Sequence, residues 1–213
     1  MYEWPGQRRI AIAGWEGEGV DDWDKSTLFA GAHARRSAST LGANIVTYRC
    51  ATCGQAHEGL PDLGYRWPDP YFDVPEAERS LRIKATRDTC SIDDRDFFIR
   101  GVILIPLRDQ SEAFGLGVWV SQKRENYQTY LDNFDTAEIG PFFGWLSNSI
   151  PFYSPDTWAL KTKAHFQGSK QRPLIELEPS DHPLCRDYSE GITLDQAWKI
   201  VHFGEKPSGP CDI

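Results

Sequence analysis

Phe97-Phe-Ile-Arg-Gly-Val-Ile-Leu-Ile-Pro-Leu107 and Phe114-Gly-Leu-Gly-Val-Trp-Val120 are the two stretches on which the fold turns. The first is a near-continuous apolar run of strand length, far short of the 18 residues a membrane helix needs. The second is another strand, in which Gly115 and Gly117 point to close backbone approach. Ser91-Ile92 precedes the first run, and Asp93-Asp94-Arg95-Asp96 lies between them, so a hairpin turn is expected there.

Working outward, Ile45 to Cys50 reads as a strand, followed by a Cys-x-x-Cys-Gly turn. Pro61, Pro68 and Pro70 make 61–73 a loop. Pro75 to Lys84 reads as a helix, with Pro75 in the first turn and Glu76 and Glu78 near its N-terminal end. A second helix is expected over Lys123–Asn133, capped by Ser121, with Tyr127, Tyr130, Leu131 and Phe134 at helical spacing. Phe142 to Leu146 reads as a short strand or buried turn. In 158–166, Trp158, Leu160, Thr162, Ala164 and Phe166 share one face of a strand, and Lys161, Lys163 and His165 the other. Arg172 to Leu177 follows as a strand, and Thr193-Leu-Asp-Gln196 opens a helix running to about Phe203. The order predicts an α+β fold: a mainly antiparallel sheet, about three helices and a zinc-knuckle-like turn. Residues 45–205 form the single domain. Residues 1–44 are a loosely structured extension with weak apolar periodicity, and 206–213 a frayed tail.

The chain has 213 residues, 40% hydrophobic, 25% charged and 13% aromatic with eight Trp, a globular composition. Net charge is −8. Residues 1–49 balance six basic against six acidic side chains, so the whole excess belongs to 50–213. An acidic body argues against nucleic acid and anionic membranes as partners, and suits steering toward a basic protein. Five cysteines and no secretory signal point to a reducing cytoplasm rather than a disulfide framework.

Cys50-Ala-Thr-Cys53-Gly54, with His57 close behind, is the sharpest chemical signal. Two thiolates at this spacing can share one ion, and Gly54 can take the positive φ that aims backbone N–H groups at the sulfurs. Cys90, just before the central run, completes a Cys₃His set: Cys50, Cys53, His57 and Cys90 as ligands of a structural zinc. A thioredoxin-like role is disfavoured, because no helix opens at Cys50 to lower its pKa. Glu176, Glu178, Asp181 and His182 have the residue types of an acid/base site, against which stands a half-exposed strand ending in a turn. The acids of 93–96 read as a solvated hairpin tip rather than a calcium loop. Phe142-Phe-Gly-Trp145 is aromatic enough for a binding platform, though core packing is the commoner fate of such residues.

Six ordered blocks carry a resemblance: Cys50-x-x-Cys-Gly-x-x-His-Glu-Gly-Leu-Pro61, Asp88-Thr-Cys90-Ser-Ile-Asp93, Phe97-Phe-Ile-Arg-Gly101, Gly117-Val-Trp-Val-Ser121, Phe143-Gly-Trp-Leu-Ser-Asn148, and Pro173 through Pro183 with Gly191-Ile192. Together, over about residues 48–203, they resemble the bacterial domain of unknown function 2199 family. Residues 1–45 lie outside the resemblance. It implies a small soluble bacterial protein, and it places Cys50, Cys53, His57 and Cys90 within the family's characteristic blocks. The functional expectation is a non-catalytic protein-binding module with a structural zinc, an immunity-type inhibitor being one concrete form. The alternative is a zinc-dependent hydrolase in which Glu58 or His182 acts as acid/base.

Overall fold

Strands β6 (Asp96–Pro106) and β7 (Ala113–Gln122) pair antiparallel along their full length, from Phe97↔Gln122 to Pro106↔Ala113. Both are covered on both faces, which is why they read as continuous apolar runs rather than alternating ones. The computed structural model describes residues 47–49, 54, 56–108, 110–168 and 171–204. The expected extension over 1–44 and tail over 206–213 lie outside the described residues.

The remaining strands are β1 (Thr47–Arg49), β2 (Ala56–Glu58), β3 (Leu63–Gly64), β4 (Ile83–Ala85), β5 (Thr89–Ile92), β8 (Phe142–Trp145), β9 (Lys161–His165) and β10 (Leu174–Leu177). β1 and β2 form a separate antiparallel pair. The main sheet runs β3-β7-β6-β10-β9-β8, with β5 and then β4 branching from β6. The sheet is mixed: β3 pairs parallel to β7 and β10 parallel to β6, which corrects the mainly antiparallel expectation. Both parallel contacts join segments far apart in sequence, so no turn motif announces them.

One edge of β6 is shared. β5 occupies its first half, Ile92↔Asp96 to Thr89↔Ile99, and β10 takes over at Leu174↔Val102. The Arg172 Nε–Asp88 Oδ1 ion pair, at 2.6 Å, ties the two branches together. Gly101 sits at this fork, where a side chain would strike Ile175 and come within 2.8 Å of the Pro173 carbonyl. At the far end the sheet curls back on itself. Leu146 bridges to Val120, the Ser147 N–H donates to the Trp119 carbonyl at 2.8 Å, and Gly144 packs directly on the Ser121 carbonyl.

Five α-helices and one 3₁₀ turn are described: α1 (Pro70–Asp73), the 3₁₀ turn Glu76–Glu78, α2 (Arg79–Arg82), α3 (Arg124–Asp132), α4 (Pro183–Glu190) and α5 (Leu194–Gly204). This exceeds the expected three. The helix expected over 75–84 breaks up because Ile83–Ala85 is captured as a strand by β5. The segment at Pro183 is a helix, with proline at its first turn where no N–H is needed. α3 follows the expected span, but Lys123 holds the N-cap position with no side-chain cap; Ser121 instead accepts from the Trp145 N–H. α3 lays Tyr127 on Phe97 and Tyr130 on Phe166, with ring centroids 5.0 Å apart in both pairs. Trp119 and Trp198 are wholly enclosed. None of the described helices is long and apolar enough to cross a membrane.

A buried amide organises one end of the core. Asn148 accepts from the Trp119 N–H at 2.8 Å and donates to the Trp67 carbonyl at 3.0 Å and to Asp69 at 3.2 Å. Asp69 also accepts from the Ser149 N–H at 2.9 Å. The segment before α1 is thereby fixed to β7 and to the chain leaving β8.

Candidate functional site

Of the four expected zinc ligands, Cys50 and Cys53 lie outside the described residues, and of His57 only the strand is described. β1 and β2 pair with Tyr48 opposite His57 and Arg49 opposite Ala56, so residues 50–55 connect an antiparallel pair. Gly54 has φ +74°, as expected for the glycine of such a turn, and its carbonyl accepts from Arg49 Nε at 3.2 Å. Cys90 lies in β5 between Ala85 and Phe98, fully buried, and burial pushes its thiol up to about 12. Among the described residues no three His, Cys, Asp or Glu side chains converge as a metal site would need.

His182 does not fit an acid/base role. As the N-cap of α4, its Nδ1 accepts from the Leu184 N–H at 3.0 Å. Nε2 must then carry the proton, and it meets the Pro155 carbonyl at 2.9 Å. Both nitrogens are occupied and the ring is buried, so this histidine holds α4 against the 150–157 loop. Nearby, Asp187 accepts from the Tyr153 hydroxyl at 3.0 Å and from Gln196 at 3.1 Å, a bracing network. Burial and the adjacent Asp187 hold the Tyr153 hydroxyl well above its ordinary pKa.

The acids of 93–96 form a hairpin tip. Asp93 and Asp94 have φ of 54° and 49°, a conformation aspartate tolerates better than most residues. Arg82 grips Asp93 through two hydrogen bonds of 2.8 and 2.7 Å, and Lys84 binds Asp94 at 2.8 Å.

What the register does assemble is a face across β8, β9 and β10. Phe143 lies opposite Lys163, which lies opposite Glu176; Trp145 lies opposite Lys161. The Glu178 N–H continues the second row, donating to the Lys161 carbonyl at 2.9 Å. The expected alternation in Lys161–His165 and Glu176–Glu178 is present, and both sets fall on this one face. In β8, Phe142 turns inward to Phe166, 5.1 Å between centroids, while Phe143 and Trp145 turn outward, 41% and 42% exposed. Their rings meet edge to face at 5.1 Å.

At the centre of the face, Glu176 Oε2 meets His165 Nε2 at 2.6 Å, and Oε1 lies 3.6 Å from Lys163 Nζ. The hydrogen bond to His165, followed by the Lys163 charge, holds the Glu176 carboxyl below its ordinary range against the opposing effect of burial. The group is therefore a carboxylate held by the His165 ring and faced by the Lys163 ammonium. Burial and the Glu176 charge hold the Tyr188 hydroxyl above its ordinary pKa, so this phenol borders the patch. Its side chains are two exposed aromatic rings bordered by lysine, histidine and glutamate.

Neither the curated proteins nor the solved structures contain a match to this chain. Residues 49–192 match a family described as "Uncharacterized protein conserved in bacteria", which covers β2 to β10, the whole of α4 and the candidate face. The chain belongs to this bacterial family, domain of unknown function 2199.

Proposed function

We propose that this protein is a non-catalytic protein-binding module of the bacterial cytoplasm, docking a partner through the face of β8, β9 and β10. One observation carries the reading: Phe143 and Trp145 stand exposed as a contacting aromatic pair on strand residues. Aromatic side chains held by a rigid sheet lose little freedom on docking, which is why they serve as anchors. The net charge of −8 steers toward a basic partner, and neutralisation of a basic toxin is the concrete form. The test is photo-crosslinking in the living host, with a benzophenone side chain at position 143. A discrete protein adduct, absent when Trp145→Ala is added and absent with the probe at the exposed Glu112 of the β6–β7 connection, supports the reading. Equal adducts from both positions argue against it.

Alongside it we infer a structural zinc held by Cys50, Cys53, His57 and Cys90. The Cys-x-x-Cys-Gly spacing between antiparallel strands and the positive φ of Gly54 support this. Four protein ligands leave no position for a reactive water. The zinc-dependent hydrolase alternative would need such a position, and with His182 committed to α4 it rests on Glu58 alone.

A further inference from the structure

The short strand β4 leaves part of its backbone facing outward. The Thr86 N–H donates to the Thr89 carbonyl and the Asp93 N–H to the Arg82 carbonyl, both at 2.8 Å. In an antiparallel ladder bonding positions alternate, so residues 82, 84 and 86 face β5 while 83 and 85 face away. The Ile83 N–H is taken by the Arg79 carbonyl. The Ala85 N–H and the carbonyls of Ile83 and Ala85 remain at the sheet edge without a partner among the described residues.

Beside this edge runs a groove of about 660 Å³ between β4–β5 and α3. Phe97, Tyr127 and Leu131 supply its apolar surface, and Leu131 is 42% exposed. Arg124 stands in the groove with its guanidinium over the Phe97 ring, 4.7 Å from the centroid, donating to the main-chain carbonyl of Asp94. Lys84 is already neutralised by the Asp94 carboxylate, whereas Arg124 meets no carboxylate among the described residues. In a chain of net charge −8, this leaves a local positive charge over an apolar floor.

We propose that the β4 edge captures an extended acidic peptide segment of another protein, which adds as a further strand. Main-chain pairing to Ile83 and Ala85 supplies the affinity. Alternate side chains then fall into the groove, an apolar one toward Leu131 and an acidic one toward Arg124. This surface is distinct from the β8–β10 face.

The test uses a displayed library of random dodecapeptides panned against the full-length chain, with the winning sequence synthesised and titrated calorimetrically. The expected winners alternate apolar and acidic residues. Ala85→Pro removes the edge donor and Arg124→Glu reverses the groove charge, and each weakens binding by about tenfold or more. Trp145→Ala leaves it unchanged, which separates this proposal from the aromatic face. Should Ala85→Pro fail to fold, Arg124→Glu carries the test, because an acid at a helix start is itself favourable. The proposal is overturned by a panning with no enrichment, by winners that are basic, or by binding indifferent to Arg124→Glu. It is also overturned if the chain dimerises through this edge and Ala85→Pro abolishes the dimer, since a second copy is then the occupant.

Discussion

Replacing Asn148 by alanine removes three side-chain hydrogen bonds at a site with no solvent access: one from the Trp119 N–H, one to the Trp67 carbonyl and one to Asp69. The Trp119 N–H is left buried between β7 and the chain leaving β8, an orphaned donor that by itself costs about 1–3 kcal/mol. Asp69 keeps the Ser149 N–H, so its loss is partial. The expected cost is about 3 kcal/mol, a large share of the roughly 5–15 kcal/mol that holds a domain of this kind. Asn148→Asp is the sharper variant. It restores the acceptor for Trp119 but places a carboxyl where Nδ2 lay 3.2 Å from Asp69. Two carboxylates there repel, so folding raises the pKa of the pair above its unfolded value. A raised folded pKa means stability that is present at low pH and lost as pH rises through it. Urea denaturation at pH 5 and pH 8 reads both effects. The Asn148→Asp protein should be the less stable at pH 8 and recover toward pH 5. A loss below about 1 kcal/mol for Asn148→Ala, or an aspartate variant insensitive to pH, refutes the argument.

Purified protein should carry about one zinc per chain, lost with most of the stability in Cys53→Ser and unaffected by Glu58→Gln, as read by elemental analysis and thermal melting. Glu176 should titrate below the ordinary glutamate range by carbon-detected NMR and return toward it in His165→Ala. Because its folded pKa is depressed, its contribution is present above the unfolded value and lost as pH falls through the folded one. On so exposed a face that contribution is at most a few tenths of a kcal/mol. Gly144→Ala should cost about 1–3 kcal/mol in melting experiments and loosen the β7–β8 closure, because the new methyl meets the Ser121 carbonyl and lies 2.8 Å from Gln122 Nε2.

The central hairpin was legible because burial on both faces makes 97–105 and 114–120 apolar without interruption. The Asp93–Asp96 turn was legible because aspartate tolerates positive φ. Ile83-Lys84-Ala85 was not, since its residues suit the end of a helix as well as a strand and only pairing with β5 decides between them. α4 was hidden by Pro183, which marks a turn or the first turn of a helix equally well. The candidate face was half legible: alternation placed Lys161, Lys163 and His165 together, and Glu176 with Glu178. Which strands lie side by side is a long-range matter, so nothing local brings Glu176 to His165. Nor could period-2 reasoning say which of Phe142 and Phe143 faces solvent, as both are apolar. The zinc ligands were nominated by spacing alone, and of these Cys90 is the one whose surroundings are described.

The proposed aromatic face is tested most directly by the affinity of the captured partner for the Trp145→Ala protein. Calorimetry on the purified pair at low and high salt should show Trp145→Ala weakening binding by about thirtyfold, the effect of a central anchor worth about 2 kcal/mol. The wild-type affinity should fall as salt rises, as expected for an acidic module on a basic partner. An affinity changed less than about threefold by Trp145→Ala would contradict the account.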